Sequence, residues 1–354
     1  MAAELRLTVG LDFASRVIAW QQAKGRHQLP WQQTRDAYRI WLSEIMLQQT
    51  QVQTVIPYYD RFLARFPTLQ ALAEAPVESV LEIWAGLGYY ARARNLHRCA
   101  QTVLADRAGK FSSDPDENAA LPGIGRSTAA AISVFAFGRR AAILDGNVRR
   151  VLARCFGVER GDSAAQHERE MWALAEALLP EDRIEAYAQG MMDLGATVCS
   201  RHRPACDACP LQLICVACRN GRQAELPQRV VRKALRERAS SVLLLTDGRR
   251  VLLERLPPSG IWGGLLSLPA GIGESADAFA GRQGCRILGR STLPPIRHVF
   301  THFRLTITVL RCDVEVFGLA AGETRWEWLP LADVSAAALP TPIRKLLLSS
   351  GLSG

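Results

Sequence analysis

Over the first 194 residues, apolar positions recur at helical spacing and strand-like alternation is never sustained, which predicts an all-helical segment. Phe13, Val17, Ile18 and Gln21 lie on one face of a short amphipathic helix over residues 11–24. Residues 38–59 read as one long helix, with Trp41, Ile45, Gln48 and Val52 on a shared stripe and Val55 at its edge. Further helices follow over 66–103 with short breaks, and over 165–179 and 184–194. A Pro-Gly-Ile-Gly turn, Pro122 to Gly125, joins two helical segments, the second running from near Ser127 to Phe137. After residue 239 the period changes from 3.6 to 2. Residues 240–245 and 250–253 form a hairpin about Asp247-Gly248. Phe303, Leu305, Ile307 and Val309 alternate, Cys312, Val314 and Val316 continue the strand, and Trp326 and Trp328 mark another. A helix over 341–348 closes a small α+β domain. Between the two patterns, residues 219–238 carry seven positive and two negative side chains, the mark of a basic linker.

Composition adds a partner class. The 354-residue chain has a formal net charge of +9, carried by side chains that are nearly all arginine, which suits a polyanion. The N-terminus lacks the regions of a signal peptide, and no stretch approaches the length needed to span a bilayer. A soluble, cytoplasmic protein with no membrane partner is the expectation.

Candidate chemistry sits where the patterns are interrupted. Glu44 lies beside an apolar stripe, where a carboxyl is rare unless paired or functional. Asp145 follows the apolar Ala-Ile-Leu run and precedes Gly146-Asn147, at the rim of a core. Gly123 and Gly125 permit close backbone approach and an anion-binding nest at the foot of a helix. Trp31 is either a core plug or a stacking surface. The glutamines at 48, 49, 51 and 53 suit base edges or a solvated helix face. Tyr89 and Tyr90 beside Arg92 and Arg94 mix stacking platforms with cations.

Five of the nine cysteines crowd between Cys199 and Cys218. Cys199, Cys206, Cys209 and Cys215 are spaced x6, x2, x5 within 17 residues, with Pro210 after the third. That compact thiol set favours a [4Fe–4S] cluster over a zinc site built of two separated hairpins. The intervening Arg201, His202 and Arg203 make the loop a phosphate clamp, and Cys218 is left over.

These segments together resemble the adenine DNA glycosylases of the MutY family, in the helix-hairpin-helix superfamily that includes endonuclease III. The resemblance rests on W-L-S-E-I-M-L-Q-Q-T-Q-V, L-P-G-I-G-R-S-T-A, L-D-G-N-V-R-R-V, M-M-D-L-G-A-T-V-C and the cysteine spacing, all in family order. It implies a mostly α, two-lobed helix-hairpin-helix glycosylase domain over 1–218 with an iron–sulfur loop at 199–215. A linker over 219–238 and a small α+β Nudix-like domain over 239–350 follow. By the resemblance Glu44 protonates adenine, Asp145 stabilises the sugar cation, and Asn147 orients that carboxylate or the water. Ser127 stands where the endonuclease III branch has its Schiff-base lysine, implying base removal without strand cleavage. Gln49 and Tyr89 are implied to probe and wedge the duplex. Trp31, Gly123, Gly125, Arg201 and Arg203 join them as DNA contacts. His27 stands where the family often has Lys or Arg.

The second domain lacks the Arg-Glu…Glu-Glu magnesium set of a Nudix hydrolase, which implies recognition without hydrolysis. Phe300, Thr301 and His302 correspond to the family's 8-oxoguanine-reading loop, with threonine for the usual serine. The implied partner is double-stranded DNA carrying adenine opposite 8-oxoguanine or guanine, bound by a monomer associated with the nucleoid. Two other readings are a pyrimidine or thymine glycosylase of the endonuclease III type and a non-catalytic helix-hairpin-helix scaffold. The pair Glu44 and Asp145 argues against the scaffold.

Overall fold

The computed structural model describes residues 2–161, 163–228, 234–271, 273–318 and 325–349, with side chains from residue 12 onward. The middle of the basic linker, residues 229–233, lies outside these, as do Asp162, Ile272, 319–324 and 350–354. The helices in chain order are α1 (Ala2–Lys24), α2 (Ala37–Leu47), α3 (Val52–Arg65), α4 (Leu69–Glu74), α5 (Val77–Trp84), α6 (Ala91–Arg107) and α7 (Pro115–Ala119). They continue with α8 (Arg126–Phe137), α9 (Gly146–Phe156), α10 (Ala164–Ala177), α11 (Ile184–Asp193), α12 (Val216–Arg219), α13 (Ala276–Arg282) and α14 (Thr341–Ser349). The strands are β1 (Arg236–Thr246), β2 (Arg250–Arg255), β3 (Leu266–Ser267), β4 (Cys285–Val299), β5 (Phe303–Val316) and β6 (Trp326–Pro330). None of the described helices is long and apolar enough to cross a membrane.

Two compact units divide the chain, residues 1–73 with 98–231, and residues 74–97 with 232–354. The first is helical throughout. One of its cores gathers Phe13 and Val17 of α1, Ala131 and Val134 of α8, Val151 and Leu152 of α9, and Tyr187 and Met191 of α11. Elsewhere in this unit Trp41 packs on Phe111 at 5.1 Å, and the Tyr38 hydroxyl donates to the Phe66 carbonyl at 2.7 Å.

The single helix predicted over 38–59 is two helices. Gln49 takes a left-handed φ of 60° and ends α2, and Gln51 re-enters in extended geometry as the N-cap of α3. A local apolar period does not reveal this break, because Val52 and Val55 preserve the 3.6 spacing across it. The first part of the predicted linker is also packed. Leu226 is buried, and Arg222 pairs with Glu159 at 2.7 Å and Glu225 at 2.8 Å. Positive charges counted along a chain do not reveal acceptors at distant positions.

The second unit holds a sheet of order β3-β2-β1-β5-β4, with β6 also paired to β2. β1 and β5 run parallel from Arg236↔Phe303 to Thr246↔Asp313, while β1 and β2 form the predicted antiparallel hairpin at Thr246↔Val251. Side-chain alternation separates two cores. Leu244, Val251, Leu253, Leu305, Ile307 and Val309 pack with Ile343 and Leu347 of α14. Leu245, Leu252, Cys312 and Val314 pack with Phe279 of α13. The odd-to-even change along β5 thus moves its buried side across the sheet. β4 was not evident from the sequence pattern. Its Pro294 and Pro295 fall in a register shift between Leu293 and Ile296, tolerated because β4 is an edge strand. In the 74–97 segment of this unit, Arg94 donates to the Gly263 carbonyl at 2.6 Å and the Tyr90 hydroxyl to that of Leu339 at 3.3 Å.

Candidate active site

Glu44 owes its position to α2. Asp36 caps the helix by accepting the Tyr38 N–H at 2.9 Å, and Trp41, Leu42, Ile45 and Met46 bury the apolar side. Glu44 is left facing a cavity of about 1090 Å³ within the first unit, lined also by Trp31, Asp145, Asn147, Gln189 and Arg26. It keeps a partly open face toward that cavity, yet protein surrounds it closely. Burial first, and then the charge of Asp145, push its pKa up to about 8. No hydrogen-bond donor among the described residues offsets that effect.

Asp145 meets the same cavity in a different way. It is the N-cap of α9, and its Oδ1 accepts the N–H groups of Asn147 at 2.9 Å and Val148 at 2.8 Å. Its Oδ2 accepts from the Asn147 amide at 3.2 Å. Burial still raises its pKa, but these donors and the Arg150 charge pull back toward the anion. Two carboxylates in one cavity repel, and Glu44 is the one whose anion has less support.

The support of Asp145 extends behind it. Arg150 donates to Asn147 Oδ1 at 2.8 Å and to the carbonyls of Gly146, Gly195 and Cys199. Gly195 lies in a single π-type turn, Leu194–Val198, after α11. A Cβ there would stand 2.5 Å from the Asn147 Cβ and 2.8 Å from its carbonyl, so only glycine fits. Buried Asp193 accepts the Arg26 N–H at 2.8 Å, its Nε at 2.7 Å and the Gln189 amide at 2.8 Å. This bond network fixes the loop that brings His27 to the cavity rim. Sequence reasoning missed Arg150, Asp193 and Gly195. The last two stand inside the M-M-D-L-G-A-T-V-C segment, where an acid within an apolar run was the available signal.

Other candidates fall elsewhere. Trp31 is 8% exposed and packs edge-on against Tyr59 at 5.4 Å, so it is a core plug that also borders the cavity. Ser127 accepts the Leu144 N–H at 3.2 Å, tying the start of α8 to the residue before Asp145. In the hairpin only Gly123 takes a left-handed φ, 76°, while exposed Gly125 is an extended N-cap for α8. Gln49 is exposed at the α2–α3 junction, and Arg201 and Arg203 are exposed on the cysteine loop. In the second unit Tyr89 is 47% exposed with a φ of 50°, and Arg92 lies 5.4 Å from its ring centroid. At the β4–β5 turn Thr301 and His302 are exposed, with the Thr301 hydroxyl 3.3 Å from His302 Nδ1. Phe300 beside them stacks on Phe303 at 4.4 Å.

Among the described residues no group of three or more His, Cys, Asp and Glu side chains stands ready to hold a metal ion. Cys199, Cys206, Cys209, Cys215 and Cys218 nevertheless line one pocket together with Arg154. Arg154, 3% exposed, donates to Cys199 Sγ at 3.3 Å, to the Ser200 carbonyl at 2.8 Å and to that of Leu226 at 2.8 Å. The Cys155 thiol, and then the Cys218 and Ala217 N–H groups, draw the Cys215 pKa down to about 6 against burial. Donors aimed at sulfur suit thiolates shared with an iron–sulfur cluster, so the donor set fits that group.

Residues 42–177 match the model of the HhH-GPD superfamily base excision DNA repair proteins, and residues 241–349 that of the NUDIX domain. The helical fold with its hairpin and cavity defines a base-excision DNA glycosylase. The chain is 32% identical over 339 residues to an adenine DNA glycosylase of Buchnera aphidicola, covering 95% of this chain and 96% of the relative. It is 31% identical to the adenine DNA glycosylase of Homo sapiens, covering 94% and 73%. It belongs to the adenine DNA glycosylase family. A thermostable thymine-DNA glycosylase is similar in structure, with 28% identity and a TM-score of 0.55 over 62% of this chain and 100% of that one. A non-covalent Endonuclease III–DNA complex, 23% identical with a TM-score of 0.50 over 58% and 92%, shares the fold.

Proposed function

We propose that this enzyme hydrolyses the N-glycosidic bond of adenine mispaired with 8-oxoguanine or guanine in double-stranded DNA, leaving the strand intact. The reading is carried by one observation: two carboxyls share a single cavity, Glu44 with burial raising its pKa and Asp145 held by three hydrogen bonds. Adenine departs as a poor anion unless a ring nitrogen, N7 in this reading, receives a proton as the C1′–N9 bond breaks. Glu44 supplies that proton. Asp145 faces the oxocarbenium-like sugar, and Asn147 orients it as water adds at C1′. The base must first leave the stack to enter the cavity. Gly123 and Gly125 offer backbone N–H groups to a phosphate, Arg201 and Arg203 add charge, and Gln49 and Tyr89 contact the opened duplex.

Cys199, Cys206, Cys209 and Cys215 would hold a [4Fe–4S] cluster, whose chemistry here is to pin the basic loop. Residues 1–218 form the catalytic part in this reading. Residues 239–350 read the opposite base through Phe300, Thr301 and His302, the threonine hydroxyl serving as hydrogen-bond partner. The protein acts as a monomer beside the nucleoid, in the cytoplasm.

The test is release of free base from duplexes differing at one pair. Adenine released from pairs with 8-oxoguanine faster than from pairs with guanine, and not from pairs with thymine, is the expected result. Release of thymine from a thymine–guanine pair in place of adenine would overturn the substrate assignment. An accompanying strand break without added base would overturn the hydrolytic mechanism.

A further inference from the structure

One face of α10 joins the two helix starts on which the site depends. Glu168, Trp172 and Glu176 follow one another at intervals of four, so their side chains form a single stripe along the helix. Half-buried Trp172 packs against the core shared by α1, α8, α9 and α11, which fixes the stripe to the body of the unit. At one end of the stripe the Arg126 guanidinium lies 3.9 Å from the Trp172 ring centroid and pairs with Glu176. Arg126 is the first residue of α8 and directly follows Gly125, the last residue of the hairpin. At the other end the Trp172 Nε1–H donates to Glu168 Oε1 at 2.9 Å, and Arg149 donates to the same oxygen at 2.9 Å. Arg149 stands one turn into α9, its backbone N–H bonded to the Asp145 carbonyl at 2.9 Å. A cation at the first position of a helix meets the positive end of the helix dipole. α8 has no acid in its own first turn, so the counter-charge for Arg126 comes from α10.

We propose that Trp172 is a positioning residue, and that α10 braces the phosphate-gripping hairpin against the helix that begins at Asp145. The inference deepens the function proposed above and rests on the grip assigned there to Gly123 and Gly125. A base drawn from the duplex must meet Asp145 while its backbone is held at the hairpin, so the spacing of grip and carboxylate has to stay fixed. Two ties set that spacing. One is the Ser127 hydroxyl, which accepts the Leu144 N–H at 3.2 Å. The other is the chain Arg126, Trp172, Glu168, Arg149, which runs from the start of α8 over α10 to the first turn of α9. Held between Trp172 and Glu176, Arg126 serves as a strut and not as a phosphate contact.

The test measures binding of the full-length protein to an undamaged, matched duplex, which needs no catalysis. Arg126→Gln and Trp172→Ala should each weaken binding about five- to tenfold, and the double variant should bind no worse than either single. Additive losses in the double variant, or no loss in either single, would overturn the proposal. Trp172→Phe keeps a ring under the guanidinium and should bind as wild type does. Arg126→Gln should leave the salt dependence of binding unchanged, and a slope lower by about one would make Arg126 a phosphate contact and overturn the strut. Glu168→Ala cuts the tie at its α9 end. Adenine release at saturating protein should then fall about three- to tenfold with duplex binding retained, and an unchanged rate would overturn the brace. If Trp172→Ala fails to fold, the same cycle is run with Arg126→Gln and Glu176→Ala, an exposed position, and additivity there has the same consequence. Failure of the glycosylase reading would appear separately, as wild-type protein that binds the duplex and releases no adenine.

Discussion

The helix that carries Glu44 and the helix that begins at Asp145 meet one cavity with opposite chemistry. On α2 the carboxyl sits mid-helix, where every backbone N–H is already used, and burial acts on it without opposition. At the start of α9 the first N–H groups are free, and Asp145 takes two of them together with the Asn147 amide. Equal side-chain chemistry therefore meets unequal support for the anion, least at Glu44. Position along a helix decides how many donors each carboxyl finds.

That contrast can be broken from either side. The largest effect should come from Glu44→Gln, which keeps shape and removes the proton donor. Single-turnover adenine release should fall about 1,000-fold, while duplex binding persists. Asp145→Asn should follow with a loss of about 100- to 1,000-fold, because charge facing the sugar is removed. Asparagine still caps α9, so the melting temperature should hardly move. A large drop in that temperature would mean the aspartate is mainly structural.

Gly195→Ala tests the support behind Asp145. The added Cβ must displace Asn147, and a shift of that kind should cost up to about 100-fold in release rate. Full activity would show that Asn147 does not set the geometry.

The pH dependence separates the two carboxyls directly. With a Glu44 pKa near 8, release should fall about tenfold per pH unit above that value. Stability follows the same proton. The folded pKa lies above the ordinary 4.5, so the folded chain keeps a proton that the unfolded chain has lost. The associated stability is complete below pH 4.5 and is lost as pH rises toward 8, with a slope of at most about 1.4 kcal/mol per unit. Thermal unfolding at several pH values should show a shallower slope in Glu44→Gln than in wild type, the remainder coming from Asp145, whose pKa burial also raises.

Ser127→Ala should do least. Loss of the bond to the Leu144 N–H should cost about 1 kcal/mol, with release altered only a few-fold. A loss as large as that of Glu44→Gln would give the hydroxyl a direct part in the chemistry.

Much of this site was legible before any coordinates. Glu44 declared itself as an acid bordering an apolar stripe, and Asp145 as an acid closing an apolar run before Gly-Asn. The hairpin and the crowded thiols were equally plain. The break at Gln49 was hidden because apolar spacing continued through it. Arg26 and Asp193 lie 167 positions apart, and neither side chain announces its partner. Edge strand β4 was missed because its two prolines and mostly exposed residues look like a loop.

Sequence alone singled out the candidate residues for chemistry and where the helical pattern yields to the strand pattern, since motif, period and charge are local properties. Folding decided what each carboxyl would be. Burial, free N–H groups at a helix start and the repulsion of a neighbour reached across a cavity exist only once distant segments are brought together. The same holds for Gly195, whose missing side chain matters only because Asn147 comes to lie against it.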